Sequence, residues 1–170
     1  MARTLAGVAD LARQRLVVER VVDAPALVVW RFLNAPADLA TWLGELEAPL
    51  SAGQEGRLRL TVEEGAPVSA LRVGACDPPR SVAVVVDEWP LELEVAPEGS
   101  GTRVRLTHLL GPDLRPEDVR GGWEFYLRRL AWAATGRAGP EPVGGVRRER
   151  LTCAPPPGGC APGRPGGGRA

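Results

Sequence analysis

Residues 56–110 of this 170-residue chain form a series of strand-like segments, and one amphipathic helical segment follows them. Within these segments apolar and polar residues alternate, as in Leu91-Glu92-Leu93-Glu94-Val95. Such alternation indicates strands with one buried face and one exposed face. Because the apolar face of a sheet must pack against another layer, the series needs a cover. We therefore expect a single antiparallel sheet that is covered on one side.

Six strands are expected. They are Arg15 to Asp23, Gly56 to Val62, Val68 to Cys76, Arg80 to Trp89, Leu91 to Val95 and Thr102 to Leu110. The apolar run from Val82 to Val86 predicts a central strand that is buried on both faces. In the last strand, Val104, Leu106 and His108 should face inward, because Arg103 and Arg105 alternate with them.

Two short helices and one long helix are expected around the sheet. Asp23-Ala24-Pro25 should open the first, with Asp23 capping its free amides, and the second should run from Pro36 to Trp42. The long helix, Pro116 to Thr135, repeats apolar residues every three or four positions and should turn Arg128 and Arg129 to solvent. The predicted order is β-αα-βββββ-α, an α+β fold in which a curved antiparallel sheet wraps around the C-terminal helix.

The two ends of the chain differ from the middle. Residues 1–14 are predicted to be an N-terminal extension, and the spacing of their apolar residues fits a short helix. Residues 137–170 contain nine Gly and seven Pro among 34 residues, which predicts a disordered Pro/Gly/Arg-rich tail. Its excess of Arg leaves an electrostatic tether to an acidic partner as the alternative to a solvated appendage. The folded domain is therefore expected at 15–136.

Composition excludes several classes of function. The 21 basic residues, all Arg, balance 21 acidic residues, which argues against a nucleic-acid partner. The absence of Lys excludes Schiff-base chemistry. One His, and three Cys without CxxC spacing, leave no basis for a multi-histidine metal site or a disulfide framework. No signal peptide or membrane span is recognised, so we expect a cytoplasmic protein without metal, cofactor or membrane insertion.

Five stretches, taken in order, resemble one known family. They are RLVVERVVDAPALVVW (15–30), TWLG (41–44), DPPR (77–80), GTRVRLTH (101–108) and GGWEFYLRRL (121–130). Their order over residues 15–136 resembles the activator-of-heat-shock-protein-90-ATPase-homologue-like branch of the START/SRPBCC helix-grip superfamily. The stretch from Glu47 to Glu55 departs from the acidic strand and paired glycine that are usual there.

The resemblance implies a helix-grip fold with an apolar cavity between the sheet and the C-terminal helix. Family members bind lipids, polyketides or other apolar molecules, so we expect a small hydrophobic ligand of unknown identity and a role that is mainly not catalytic. Two alternatives stay open. One is a polyketide cyclase or aromatase, with His108 as its general acid or base. The other is an interaction module that binds a chaperone, another protein partner or a second copy of the chain.

Eight side chains are the candidate ligand contacts, because they should lie on the inner face of the sheet, on the long helix or at the cavity mouth. They are Trp42, Trp89, Leu106, His108, Trp123, Tyr126, Leu127 and Leu130. Core packing explains the tryptophans and the tyrosine as well as ligand contact does. For His108, a hydrogen-bonded core histidine is the simpler interpretation.

Two other sets of polar residues are weighed against this cavity. Arg72 would enter it only if Ala70 and Gly74 faced inward, and the larger Leu71 and Val73 predict instead that Arg72 faces solvent. Two adjacent acidic pairs, at 63–64 and 87–88, should each point to opposite faces of a strand, so neither pair should share a proton.

Overall fold

The computed structural model describes residues 14–137. Its elements are β1 (Arg15–Val22), α1 (Ala26–Asn34), α2 (Pro36–Leu39), β2 (Glu45–Leu46), β3 (Glu55–Arg59), β4 (Val68–Asp77), β5 (Ser81–Val86), β6 (Trp89–Glu98), β7 (Gly101–Leu109) and α3 (Pro116–Thr135). The α+β fold is confirmed, with the two-residue strand β2 added after the short helices. The predicted N-terminal helix, and the predicted tail from residue 138 onward, lie outside the described residues.

The seven strands form one curved antiparallel sheet in the order β1-β7-β6-β5-β4-β3-β2. β5 is the central strand, as its apolar run predicts. Residues 82–84 are all buried, and because neighbouring residues on a strand face opposite sides, this part of β5 is buried on both faces. At one edge β1 pairs with β7, with Leu16 opposite His108. This register places the inner residues of the first and last strands side by side.

The inner face of β4 has the predicted orientation. Leu71 and Val73 are buried, at 4% and 3% exposure, and Arg72 between them is exposed. Arg72 lies opposite Glu55 of β3 in the sheet register. The larger apolar side chains therefore take the covered face, and the guanidinium stays in solvent.

α3 covers part of the inner face and has the bounds that its apolar spacing predicts. It begins at Pro116 and ends at Gly136, whose φ of 66° is the left-handed conformation typical of a helix-ending glycine. Its buried side chains are Val119, Tyr126, Leu127 and Leu130. The helix lies against β1 and α1. It therefore packs over the β1 edge, and the strands toward β2 must be covered in another way.

Several local predictions were wrong, three of them at the bounds of α1, α2 and β3. Asp23 does not cap α1, because the helix begins later, with Pro25 at the N-cap and no side-chain cap hydrogen bond. α2 has only four residues and does not reach Trp42, since the chain turns after Leu39. β3 ends at Arg59, three residues early, because residues 61–65 already form the turn to β4.

Candidate functional site

A cavity of about 150 Å³ lies between the inner face of the sheet, α3 and the segment that contains α1 and α2. Leucines of the helical segment and of β2, β3 and β6 line it, together with valines of β5. The polar residues in its wall are Glu63, Ser69, Asp87 and Tyr126, besides the tryptophan indoles. In another protein, an apolar cavity of about 150 Å³ stays dry and binds benzene. The space here is therefore large enough for one aromatic ring.

The structure brings six of the eight predicted contact residues to this cavity. They are Trp42, Trp89, Leu106, Trp123, Tyr126 and Leu127. His108 and Leu130 are buried, at 1% and 0% exposure, and are not part of the wall. Leu130 packs in the core. That the six wall residues bind a ligand stays a prediction.

His108 is buried behind the cavity wall and contacts two of the tryptophans that form it. Its Nδ1 accepts a hydrogen bond from Nε1 of Trp123 at 3.2 Å, and its ring centroid lies 4.8 Å from that of Trp89. Its Nε2 is buried and has no hydrogen-bond partner within residues 14–137. Burial lowers the pKa of His108 to about 4, because desolvation disfavours the charged imidazolium. The ring is therefore neutral near pH 7, and it holds Trp123 in place.

Two carboxylates that the sequence analysis placed on strands lie in turns and enter the cavity wall. Glu63, in the β3–β4 turn, accepts a hydrogen bond from the hydroxyl of Tyr126 at 2.5 Å. Asp87, in the β5–β6 turn, has a left-handed φ of 54° and accepts a bond from the amide of Ala70 at 2.8 Å. The alternation of β3 continues in the sequence beyond Arg59, where the strand itself ends. The Gly and Pro that follow in residues 65–67 were the signal for the turn.

Trp42 is fixed in the wall by two hydrogen bonds. Its Nε1 donates to the carbonyl of Phe32 at 2.8 Å, and its own carbonyl accepts from Nε of Arg129 at 2.9 Å. The solvent-facing position predicted for Arg129 was wrong, whereas that of Arg128 is confirmed. Helical spacing places both near the surface, but the chain after α2 comes close enough to α3 to accept the Arg129 bond.

Two absences characterise residues 14–137. His, Cys, Asp and Glu side chains form no group of three or more that could hold a metal ion in this part of the chain. Across the same residues, no helix combines the length and the apolar character that crossing a bilayer requires.

Solved structures share the fold at low sequence identity. DynU16, a protein in the dynemicin biosynthetic locus, aligns with a TM-score of 0.63 and 22% identity over 72% of this chain and 48% of its own. This chain thus spans about half the length of DynU16. MLL2253 from Mesorhizobium loti aligns at 0.64 and 18% identity over 74% of this chain and 99% of its own. The AHSA1-like protein from Aeromonas hydrophila aligns at 0.64 and 16% identity over 72% and 93%.

The sequence itself identifies the family. No curated protein matches the chain. The sequence profile of the family described as "Activator of Hsp90 ATPase homolog 1-like protein" matches residues 23–134, which run from the loop before α1 almost to the end of α3. This match covers well over half of the chain and includes every element except β1. The chain therefore belongs to the activator of Hsp90 ATPase homolog 1-like family.

Proposed function

We propose that this domain binds a small apolar molecule, with a body about the size of one aromatic ring, in the cavity beneath α3. The observation that carries the proposal is a space of about 150 Å³ whose wall is almost entirely leucine, valine and tryptophan. Hydrocarbon buried there gains roughly 25 cal/mol for each Å² removed from water. A cytoplasmic location, expected from the sequence, stays a prediction.

Binding is better supported than the enzymatic alternative. A cyclase or aromatase was expected to depend on His108, which is neutral, engaged with Trp123 and outside the wall. The polar side chains that the wall offers to a reaction instead are those of Glu63, Ser69, Asp87 and Tyr126, of which Glu63 and Tyr126 are hydrogen-bonded to each other. DynU16 belongs to a biosynthetic locus, which fits a small-molecule ligand for this fold without identifying one.

The experiment is a titration of the purified protein with toluene and with larger apolar molecules, followed by tryptophan fluorescence and calorimetry. Trp42, Trp89 and Trp123 line the cavity and should report saturable binding of the ring-sized probe. Val84→Phe, which projects a ring into the space, should abolish the response. The matched control is Val21→Phe on β1, where the side chain is 54% exposed. No saturable binding by the wild type, or unchanged binding by Val84→Phe, would contradict the proposal.

A further inference from the structure

Two acidic turns meet at one end of the cavity. The β3–β4 turn carries the half-buried Glu63 and the β5–β6 turn carries the exposed Asp87, and both residues line the space. β4 begins between them, because Val68 pairs with Arg59 before the first turn and Ala70 bonds to Asp87 in the second. The two turns therefore place negative charge on the same rim of an otherwise apolar wall.

Aromatic rings lie next to these carboxylates. Trp89 begins β6 two residues after Asp87, and Tyr126 is bonded to Glu63. Trp123 connects the two, with its ring centroid 6.0 Å from that of Tyr126 and 6.3 Å from that of Trp89. Aromatic faces attract a cation within about 6 Å, and carboxylates accept its N–H donors. Rings and carboxylates together make a site for an ammonium group.

Positive charge is lacking among the described residues of this wall. Within the part of the chain that the structure describes, no Arg or His side chain lines the cavity. The ion pairs of that part do not include Glu63 or Asp87. Arg129 directs its donors at the carbonyls of Thr41 and Trp42. Among the described residues, a ligand carboxylate at this rim would therefore meet like charge and no compensating cation in the wall.

We propose that the ligand is an organic ammonium, with a small apolar body in the cavity and its charged nitrogen at the rim formed by Glu63, Asp87 and the neighbouring rings. This inference rests on the proposed function and adds the chemical class of the ligand. An ammonium ligand distinguishes this cavity from one that binds fatty acids or other carboxylates. Those ligands need a positively charged or neutral hydrogen-bond donor at the same position.

The test compares three probes that share one ring: benzylammonium, toluene and benzoate. We expect calorimetry at low ionic strength to give a Kd for benzylammonium about tenfold or more below that for benzoate, since the two carboxylates of the rim attract the ammonium group and repel the benzoate carboxylate. Toluene measures the apolar contribution alone. Raising the salt concentration should weaken benzylammonium binding and leave toluene binding unchanged.

Glu63→Gln combined with Asp87→Asn should remove the preference for benzylammonium over benzoate. If the double variant does not fold, Asp87→Asn alone gives the same test with half of the charge change. Its side-chain oxygen can still accept the hydrogen bond from the amide of Ala70. The matched control is Glu98→Gln, at the opposite end of β6 and paired with Arg103. It should retain the preference.

The outcomes distinguish failure of the ammonium inference from failure of the proposed function. Toluene binding together with equal or tighter binding of benzoate overturns the ammonium inference and leaves the proposed function standing. Failure of all three probes to bind removes the proposed function and this inference with it. A preference for benzylammonium that Glu63→Gln and Asp87→Asn leave intact also overturns the inference, because the charge then comes from elsewhere.

Discussion

At the scale of single residues, His108 shows how a polar side chain can serve an apolar wall. Because its Nδ1 accepts a hydrogen bond from Trp123, the neutral ring carries its proton on Nε2. That N–H group is buried and has no acceptor within the described residues, an arrangement that costs about 1–3 kcal/mol. The benefit is that Trp123 is held at a defined position between Trp89 and Tyr126.

The burial of His108 predicts a loss of stability in acid. Its pKa is about 4 in the folded state, against 6.5 without burial, so between these values the unfolded chain binds the extra proton. The free energy of unfolding should therefore fall as the pH drops from 6.5 to 4, by about 3 kcal/mol in total from this group. Urea denaturation of wild type and His108→Leu across this range should show that the variant lacks this part of the pH dependence.

The chain has one histidine, so a proton NMR titration assigns the pKa directly. A value near 6.5 in the folded protein would contradict both the burial and the predicted acid sensitivity. Carboxylates in general also bind protons in the lower part of the range from pH 6.5 to 4, and they do so in wild type and in His108→Leu alike. The difference between wild type and variant, rather than either curve, is therefore the measurement to use.

At the scale of elements, close backbone contact joins β2 to its neighbour. Gly44 directly precedes β2, and a Cβ atom at this position would lie 2.0 Å from the carbonyl oxygen of Arg59 at the end of β3. That atom belongs to the backbone, so it cannot rotate away. Glycine at 44 therefore allows the chain leaving α2 to join the sheet and to place Leu46 in the cavity wall.

Gly44→Ala should destabilise the protein by about 1–3 kcal/mol, because the sheet must shift to admit the methyl group. Gly56→Ala is the matched control, since no atom lies within 4 Å of the Cβ position in that strand glycine. Thermal unfolding followed by circular dichroism measures both. Equal effects of the two substitutions would show that the contact between Gly44 and Arg59 does not limit the fold.

A second prediction at this scale concerns the contact between α3 and the chain after α2. Arg129→Leu keeps an apolar stem but removes the hydrogen bond to the carbonyl of Trp42, at a cost of about 1–2 kcal/mol. It should also speed amide hydrogen exchange around residues 42–44. Arg128→Leu, one position earlier and exposed, should change stability by less than about 0.5 kcal/mol. Unchanged exchange in Arg129→Leu would contradict the role assigned to this contact.

The elements differ in how well the sequence predicts them. α3 has the expected orientation because its apolar residues recur every three or four positions. β7 has it because its buried residues alternate with charged or polar ones such as Arg103 and Arg105. The start of the β3–β4 turn was predicted too late because Leu60 and Val62 continue the alternation of β3 although the backbone has left the sheet. That turn carries Glu63 into the wall, so the polar rim of the cavity was missed with it. Local periodicity cannot show the hydrogen bond between Glu63 and Tyr126, because that bond depends on where α3 places Tyr126.

At the scale of the whole molecule, the cavity follows from where α3 lies. The helix packs against β1 and α1, so among the described residues the inner faces of β4 and β5 are covered by side chains of the helices and by the chain that connects α2 to β3. The sequence predicts which faces are apolar, and six of the eight expected residues do reach the cavity. The volume of the cavity depends on how closely the sheet, the helices and the chain between α2 and β3 pack together. No single segment of the sequence determines that.

The same substitution at two buried valines should therefore have opposite effects on stability. Val84 lines the cavity, and Val84→Leu places one more methylene in empty space, which should stabilise the protein by about 0.8 kcal/mol. Val104 is fully buried in β7 and does not line the cavity, so Val104→Leu should overpack the core and cost about 1–3 kcal/mol. Urea denaturation measures both free energies. If Val84→Leu is as destabilising as Val104→Leu, the space beneath α3 is filled in solution, and a ring-sized ligand could not enter it.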